Sequence, residues 1–285
     1  MAQLINGKEL ASKLTAATAK QVANLKSCNI VPKIAIINAN ADPASEVYIE
    51  KKKKLAETIG VASEIYKFNA DVKEHEISSL IQKLNVDKNI HAILLQSPLS
   101  CDLDFRKLIN MVDPSKDVDG LTAINQGRLF ADEPGIVSCT PLGIMHLIHS
   151  VREKLDGLQA VVVGRSTIVG NPTAQLLMRA NCTVTVAHSR SLNVSEICRS
   201  ADILVSAIGK PHYITKDFVK PGAIVVDVGI NRVLNNEGCK EIVGDVFFDE
   251  VYDIAGAITP VPNGVGPMTV AYLMHNTVNI SSGNH

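Results

Sequence analysis

AVVVGRSTIVGNPTAQLLMRANCTVTVAHS, Ala160 to Ser189, decides the fold. Ala160 to Gly164 is a short valine-rich apolar run, the pattern of a strand buried on both faces. Arg165 to Pro172 has neither helical nor strand period, Ala174 to Ala180 has a helical one, and Thr183 to Ser189 is a second β-branched strand. Strand, glycine loop, helix and strand make a βαβ unit. Its first turn can turn backbone N–H groups toward a phosphate at a helix N-terminus.

Gly164 and Gly170 are six apart, so the usual G-x-G-x-x-G spacing is absent. The end of the second strand says more. An NAD site puts Asp or Glu there to hold the ribose 2′-hydroxyl, whereas a 2′-phosphate wants arginine and neutral donors. This chain has Arg165 in the loop and His188, Ser189 and Arg190 at the strand end, with no acid. That pattern reads as NADP. An ordinary βαβ turn with surface arginines is the alternative, and the missing acid argues against it.

GRSTIVGNP, TVTVAHSRS, KPGAIVVDVGIN and ITPVPNGVGPMT occur in this order. Together they resemble the bifunctional methylenetetrahydrofolate dehydrogenase/methenyltetrahydrofolate cyclohydrolase family, over about Leu4 to about Val278. The resemblance implies two α/β domains flanking a cleft, each a mostly parallel sheet with flanking helices, the second a Rossmann-like NADP-binding domain. It implies a folate-binding catalytic domain over 1–119, an NADP domain over 120–266, and a C-terminal helix from about 267 that packs back on the first. It also implies Gly164, Arg165, Ser166, Gly170, Ser189, Arg190 and Ile230 at the cofactor, tetrahydrofolate derivatives as substrate, a homodimer through the cofactor domain, and a role in one-carbon metabolism that includes purine biosynthesis.

A chain of 285 residues can build two full cores. Its net charge of −1 gives no case for nucleic acid or an anionic membrane. MAQLINGKEL lacks a signal-peptide core and no apolar run reaches transmembrane length, so a cytoplasmic protein is expected. Cys28, Cys101, Cys139, Cys182, Cys198 and Cys239 include no C-x-x-C and read as reduced structural thiols. No acid or cysteine partner is recognisable beside His146 and His149, and no metal site is expected.

Residues 7–27 have helical spacing, and PKIAIIN (32–38) is a buried strand. Asp42 can cap the next helix, Pro43 fits its first turn, and Gly60 suits its end near Ile59. SEIYKF, EHEISSLIQKLN and HAILLQ (91–96) continue as strand, helix and strand, which implies a parallel sheet covered by helices. Gly120 to Cys139 reads as an irregular crossing between domains, followed by a helix over TPLGIMHLIHSV. A helix over LNVSEICRSA, strands over DILVSAIG and AIVVDVGI, a weak hairpin around 235–238 and a helix from Pro267 complete the chain.

On the helix after the first buried strand, Tyr48 and Lys52 are i and i+4 and share a face. Four lysines stand in a row. Lys53 and Lys54 have glutamates four residues away, Glu57 and Glu50, while Lys51 and Lys52 have none. Periodicity leaves both as candidates; the family's Tyr-x-x-x-Lys matches Tyr48 and Lys52. Gln96 ends a buried strand at its carboxyl end, where open α/β sheets bind ligands. The family's Gln-Leu-Pro-Leu-Pro is here Gln96-Ser97-Pro98-Leu99-Ser100. Asp119 matches the aspartate with which the family holds the pterin, with Asp117 as rival and turn capping open to both. Pro262, Gly264 and Gly266 match a folate loop in which Asn263 replaces a glycine, and Asn tolerates φ > 0. In GDVFF, Phe247 stands where the family has an acid.

The resemblance therefore implies NADP-dependent oxidation of 5,10-methylenetetrahydrofolate and hydrolysis of the methenyl product to the 10-formyl compound. Lys52 is implied as the proton-transfer group, Gln96 as its positioner and Tyr48 as a pocket wall. A dehydrogenase without cyclohydrolase, or another NADP dehydrogenase on the same scaffold, is the competing reading.

Overall fold

The computed structural model describes residues 1–283 apart from 41–42, 70, 101 and 235–237, with backbone alone at 43–45 and 47. The expected cap Asp42 and most of the expected turn at 235–238 lie outside the described residues. In chain order the elements are β1 (Gln3–Leu4), α1 (Gly7–Ser27), β2 (Lys33–Asn38), α2 (Pro43–Ile59), β3 (Ala62–Lys67), α3 (Glu74–Val86), β4 (Ala92–Leu95), α4 (Phe105–Ile109), α5 (Ala123–Ala131) and α6 (Cys139–His149). There follow β5 (Gln159–Val163), α7 (Gly170–Arg179), β6 (Thr183–Ala187), α8 (Val194–Arg199), β7 (Ile203–Ser206), β8 (Ile224–Asp227), β9 (Asn231–Leu234), β10 (Lys240–Val243), α9 (Phe248–Tyr252), β11 (Ala257–Ile258) and α10 (Val265–Ser281).

Two compact units emerge, and both are discontinuous. One holds Met1–Ala11 and Thr140–Thr269, the other Ser12–Cys139 and Val270–His285. This differs from the expected division at 119/120 in two ways. The first strand belongs with the later sheet, because Gln3 and Leu4 pair parallel with Ala257 and Ile258 of β11. A two-residue strand carries no readable period. Residues 120–139, expected in the cofactor domain as an irregular crossing, fall instead in the unit of Ser12–Cys139. They hold α5, which Thr122 caps by accepting from the Asn125 N–H at 3.3 Å and which buries Leu129. Its internal Gly127 disguised a helix as a loop.

In the second unit the sheet order is β3-β2-β4, all parallel. Ile34 and Ile36 of β2 and Ala92 and Leu94 of β4 meet Val22 of α1, Ile49 of α2, and Leu273, Met274 and Val278 of α10 in one apolar core. Unbroken apolar strands are what a sheet covered on both faces requires. Gly60 ends α2 at φ 83°, a left-handed terminus that glycine adopts without Cβ strain.

The other unit carries a six-stranded sheet of order β1-β11-β8-β7-β5-β6 with every pairing parallel, and a separate antiparallel hairpin of β9 and β10. β5 has β6 on one side and β7 on the other, so the chain reverses its direction of progress across the sheet at β5 and β7. That reversal opens the crevice in which doubly wound sheets bind ligands, at the strands' carboxyl ends. Helix α7 starts at Gly170, four residues ahead of its readable period. Pro172 sits in its first turn, where the missing N–H goes unneeded.

Candidate active site

Helix α2 carries Tyr48 and Lys52, and β4 delivers Gln96 just past its end. Lys52 Nζ donates to Gln96 Oε1 at 2.7 Å, while Gln96 Nε2 donates to Ser97 O at 2.6 Å. The second bond fixes the amide so that its oxygen faces the lysine. Burial lowers the Lys52 pKa, opposed by the nearby Asp119 and Cys139. Its amine is therefore easier to deprotonate than a surface lysine. Lys53 pairs with Glu57 at 4.0 Å, as its spacing predicts. Exposed Lys51 lies over the Tyr48 ring at 5.7 Å from its centroid. Lys52, rather than Lys51, is the lysine turned to Gln96.

The two aspartates separate cleanly. Asp117 is fully buried and spends its carboxylate on the chain itself, accepting from Leu121 N at 3.1 Å, Thr122 N at 2.8 Å and Asn125 Nδ2 at 3.0 Å. It is a turn cap. Asp119 remains partly accessible and accepts from Cys139 N at 3.3 Å. Burial raises its carboxyl pKa, and the nearby Lys52 charge offsets only part of that rise. The charges of Lys52 and Asp119 thus support one another.

Cys139 belongs to this group, although the cysteine pattern marked it only as a structural thiol. It is fully buried, and burial followed by the Asp119 charge pushes its thiol well above the ordinary value. A thiol held so high stays protonated and inert as a nucleophile. Asn276 of α10 donates to Val118 O and Val137 O, each at 3.0 Å, and approaches Cys139 Sγ at 3.5 Å. It ties together the segments that present Asp119 and Cys139. No sequence signal links residues 118, 139 and 276.

The loop after Gln96 departs from the family pattern and is held by different means. Ser100 donates through its hydroxyl to Ala39 O at 2.8 Å and through its N–H at 2.9 Å, and Asn40 Nδ2 donates to Pro98 O at 3.1 Å. Side-chain bonds restrain a stretch where the family has a proline.

The remaining candidates lie in the other unit. Pro262, Gly264 and Gly266 surround the start of α10, and Asn263 has φ 81°, in the left-handed region that its replacement of glycine demands. Gly164 has φ 130°, and a Cβ there would overlap Ala207 O, so only glycine fits. Its N–H donates to Ala187 O at 2.8 Å, so the loop with Arg165 and the strand end with Ser189 and Arg190 spring from neighbouring residues. All three of those side chains are exposed. Ile230, 50 % exposed, follows β8. In the first turn of α7, Gly170 N donates to Ser166 Oγ at 3.2 Å and Asn171 N to Ser166 O at 3.0 Å. Those donors serve the turn itself, so the helix start has fewer free N–H groups than the glycine spacing suggested.

A doubly wound dinucleotide sheet, joined in sequence to an α/β unit with a lysine–glutamine–aspartate site, defines a nicotinamide-dependent enzyme of the two-unit kind. The catalytic-domain model of the tetrahydrofolate dehydrogenase/cyclohydrolase family matches residues 5–119, and that family's NAD(P)-binding-domain model matches residues 138–285. The chain belongs to this family. It is 47 % identical to the bifunctional protein FolD of Rhodopseudomonas palustris, over 100 % of this chain and 97 % of the relative. Its fold matches the crystal structure of the bifunctional FolD dehydrogenase/cyclohydrolase from Campylobacter jejuni, with TM-score 0.96, 40 % identity and complete coverage of both chains. It also matches the Trypanosoma brucei enzyme complexed with NADP cofactor and inhibitor, with TM-score 0.94, 33 % identity, and 99 % and 98 % of the two chains covered.

Proposed function

We infer that this chain oxidises 5,10-methylenetetrahydrofolate with NADP⁺ and hydrolyses the resulting 5,10-methenyltetrahydrofolate to 10-formyltetrahydrofolate. The observation that carries the second step is the Lys52 Nζ to Gln96 Oε1 bond at 2.7 Å, beside Asp119. Bound NADP⁺ supplies the hydride acceptor. The donor set suits that cofactor: Arg165, Ser189 and Arg190 are exposed at one end of the sheet, with no acid where a 2′-hydroxyl would need one.

Loss of hydride from a carbon between two nitrogens leaves a delocalised cation, so no side chain need take a proton. The residues' task is orientation. Asp119 would accept hydrogen bonds from the aminopyrimidinone edge, with Tyr48, Pro262, Gly264 and Gly266 as further folate contacts. Hydrolysis does move protons. Water oxygen bonds to the methenyl carbon as the Lys52 amine takes one water proton. That proton passes to the ring nitrogen as the carbon–nitrogen bond breaks, and the proton left on the oxygen departs to solvent as the formyl C=O forms. Gln96 holds the lysine by accepting one of its N–H groups. The lowered Lys52 pKa supports this exchange, because an amine fixed in the ammonium form could not accept.

A homodimer through the cofactor unit, a cytoplasmic location and a place in purine biosynthesis complete the reading, on the strength of the family resemblance. No helix among the described residues is long and apolar enough to cross a membrane. Two absorbance measurements test the function: NADP⁺ reduction with methylenetetrahydrofolate, then decay of supplied methenyltetrahydrofolate without nucleotide. Reduction without decay would leave a dehydrogenase alone.

A further inference from the structure

Asp245 follows β10 in the GDVFF stretch and has no role in the reading above. It is fully buried, yet five donors converge on it. Oδ2 accepts from Ile208 N at 2.8 Å, Gly209 N at 3.1 Å and the Ser206 hydroxyl at 3.3 Å. Oδ1 accepts from Lys210 N at 3.0 Å and Asn231 Nδ2 at 3.0 Å. Three consecutive backbone amides turned onto one carboxylate define the path of the loop that leaves β7.

That loop stands at the reversal point of the sheet. Ala207 N donates to Val163 O at 2.8 Å, and a Cβ on Gly164 would overlap Ala207 O. Residues 207–210 therefore form the wall facing the glycine turn. With Arg165, Ser189 and Arg190 proposed for the 2′-phosphate on the β6 side, the nicotinamide half of a bound dinucleotide would face the β7 and β8 side. Asp227, at the end of β8, extends the same scaffold: its Oδ1 accepts from Asp245 N at 3.0 Å and Gly229 N at 2.9 Å. The loop carrying Ile230 thus hangs from the same pair of carboxylates.

We propose that Asp245 is a positioning residue for the cofactor, setting the path of Ile208–Lys210 and so the width of the crevice on its nicotinamide side. The proposal rests on the NADP reading. A carboxylate only accepts, and five donors need an acceptor at both oxygens. Asp245→Asn keeps the size but turns an NH₂ group onto at least two donors, whichever way the amide lies. The loop must then shift, and misplacement by about 1 Å away from the chemistry can lower turnover by about 100-fold.

The test uses the full chain and two assays. NADP⁺-dependent oxidation reports on the crevice; hydrolysis of supplied methenyltetrahydrofolate without nucleotide reports on the other unit. Asp245→Asn should lower kcat/KM for NADP⁺ by about 10- to 100-fold, while the folate KM and nucleotide-free hydrolysis keep their wild-type values. Asn231→Ala removes one donor of five and serves as the gentle variant should Asp245→Asn not fold; its NADP⁺ KM should rise about two- to tenfold. A fall in both activities together in Asn231→Ala, or an unchanged NADP⁺ KM in both variants, would overturn the proposal. Wild-type protein that hydrolyses the methenyl compound but does not reduce NADP⁺ would instead sink the cofactor reading on which it rests.

Discussion

Lys52 and Asp245 are both ionisable groups held inside the protein, and they are held in opposite ways. Lys52 has one side-chain acceptor, Gln96, and a second charge nearby in Asp119, and it keeps some accessibility. Asp245 is fully buried and saturated by five donors, three of them consecutive backbone amides. A charge satisfied by backbone is locked, because moving it means moving the chain. A charge satisfied by one side chain can change its protonation and partners. The same contrast divides Asp117 from Asp119: the first caps a turn with three bonds, the second faces a lysine and a thiol. Incomplete satisfaction, rather than burial, marks the residue free to do chemistry.

The strongest test of that contrast is Lys52→Met. It keeps the stem's bulk and removes the proton exchange, so cyclohydrolase activity should fall by about 10²–10⁴-fold or more. Oxidation should continue, with the methenyl compound accumulating in a spectrophotometric assay. Lys51→Met, which removes only the exposed charge above Tyr48, should leave both activities near wild type. Equal loss of both reactions in Lys52→Met, with folding intact, would make Lys52 an orienting group and break the comparison.

Next in size is Arg165→Ala, at an exposed charge proposed to meet the 2′-phosphate. A charge-assisted bond to phosphate contributes about 1.5–3 kcal/mol, so NADP⁺ affinity should drop about ten- to a hundred-fold. NAD⁺ affinity, measured by titration beside it, should hardly change. Equal loss for both nucleotides would show that this arginine does not read the 2′-phosphate.

Asn263 tests backbone rather than charge. At φ 81° a β-branched residue is strained by about 1–3 kcal/mol, so Asn263→Val should weaken folate binding while Asn263→Gly preserves it. Normal folate affinity in the valine variant would mean that the loop does not need a left-handed residue.

The last test is one of pH. Burial raises the Asp227 carboxyl from 3.8 to about 7, against the lowering influence of N–H bonds from Val246, Asp245 and Gly229. Because the folded value lies above the unfolded one, the extra stability is full below pH ~4 and is lost as pH rises through about 7. Asp227→Asn cannot titrate. The stability of wild type relative to this variant should therefore decline from pH ~4 to about 7 and then level off, in urea melts across that range. A constant difference would mean that Asp227 ionises normally, and that saturation by backbone offsets burial there as well.

Much of the fold was legible because period and punctuation are local. The spacing over 7–27 matches α1, Gly60 ends α2, and the valine runs became β5 and β8. The misses have local causes too. Helix α5 hides its start behind a threonine cap and a central glycine, and β1 is two residues long. In the candidate site, the i,i+4 pairing of Tyr48 and Lys52 was readable, whereas the choice between Lys51 and Lys52 needed the family motif.

By itself, then, the sequence determined the alternation of strands and helices and the glycine turn without an acid at its partner strand, and it narrowed the site to Gln96, one of Lys51 and Lys52, and one of Asp117 and Asp119. These depend on neighbours in the chain or on motifs within a few residues. Only the tertiary structure decided that Gln96, 44 residues on, receives the Lys52 ammonium, and that Asp117 is spent on its own turn. It alone brought Cys139 and Asn276 to Asp119, joined β1 to β11, and gathered five donors around Asp245. Such partners come from segments far apart in sequence. What joins them is the packing of helices on open parallel sheets, and no local pattern records which loops that packing brings face to face.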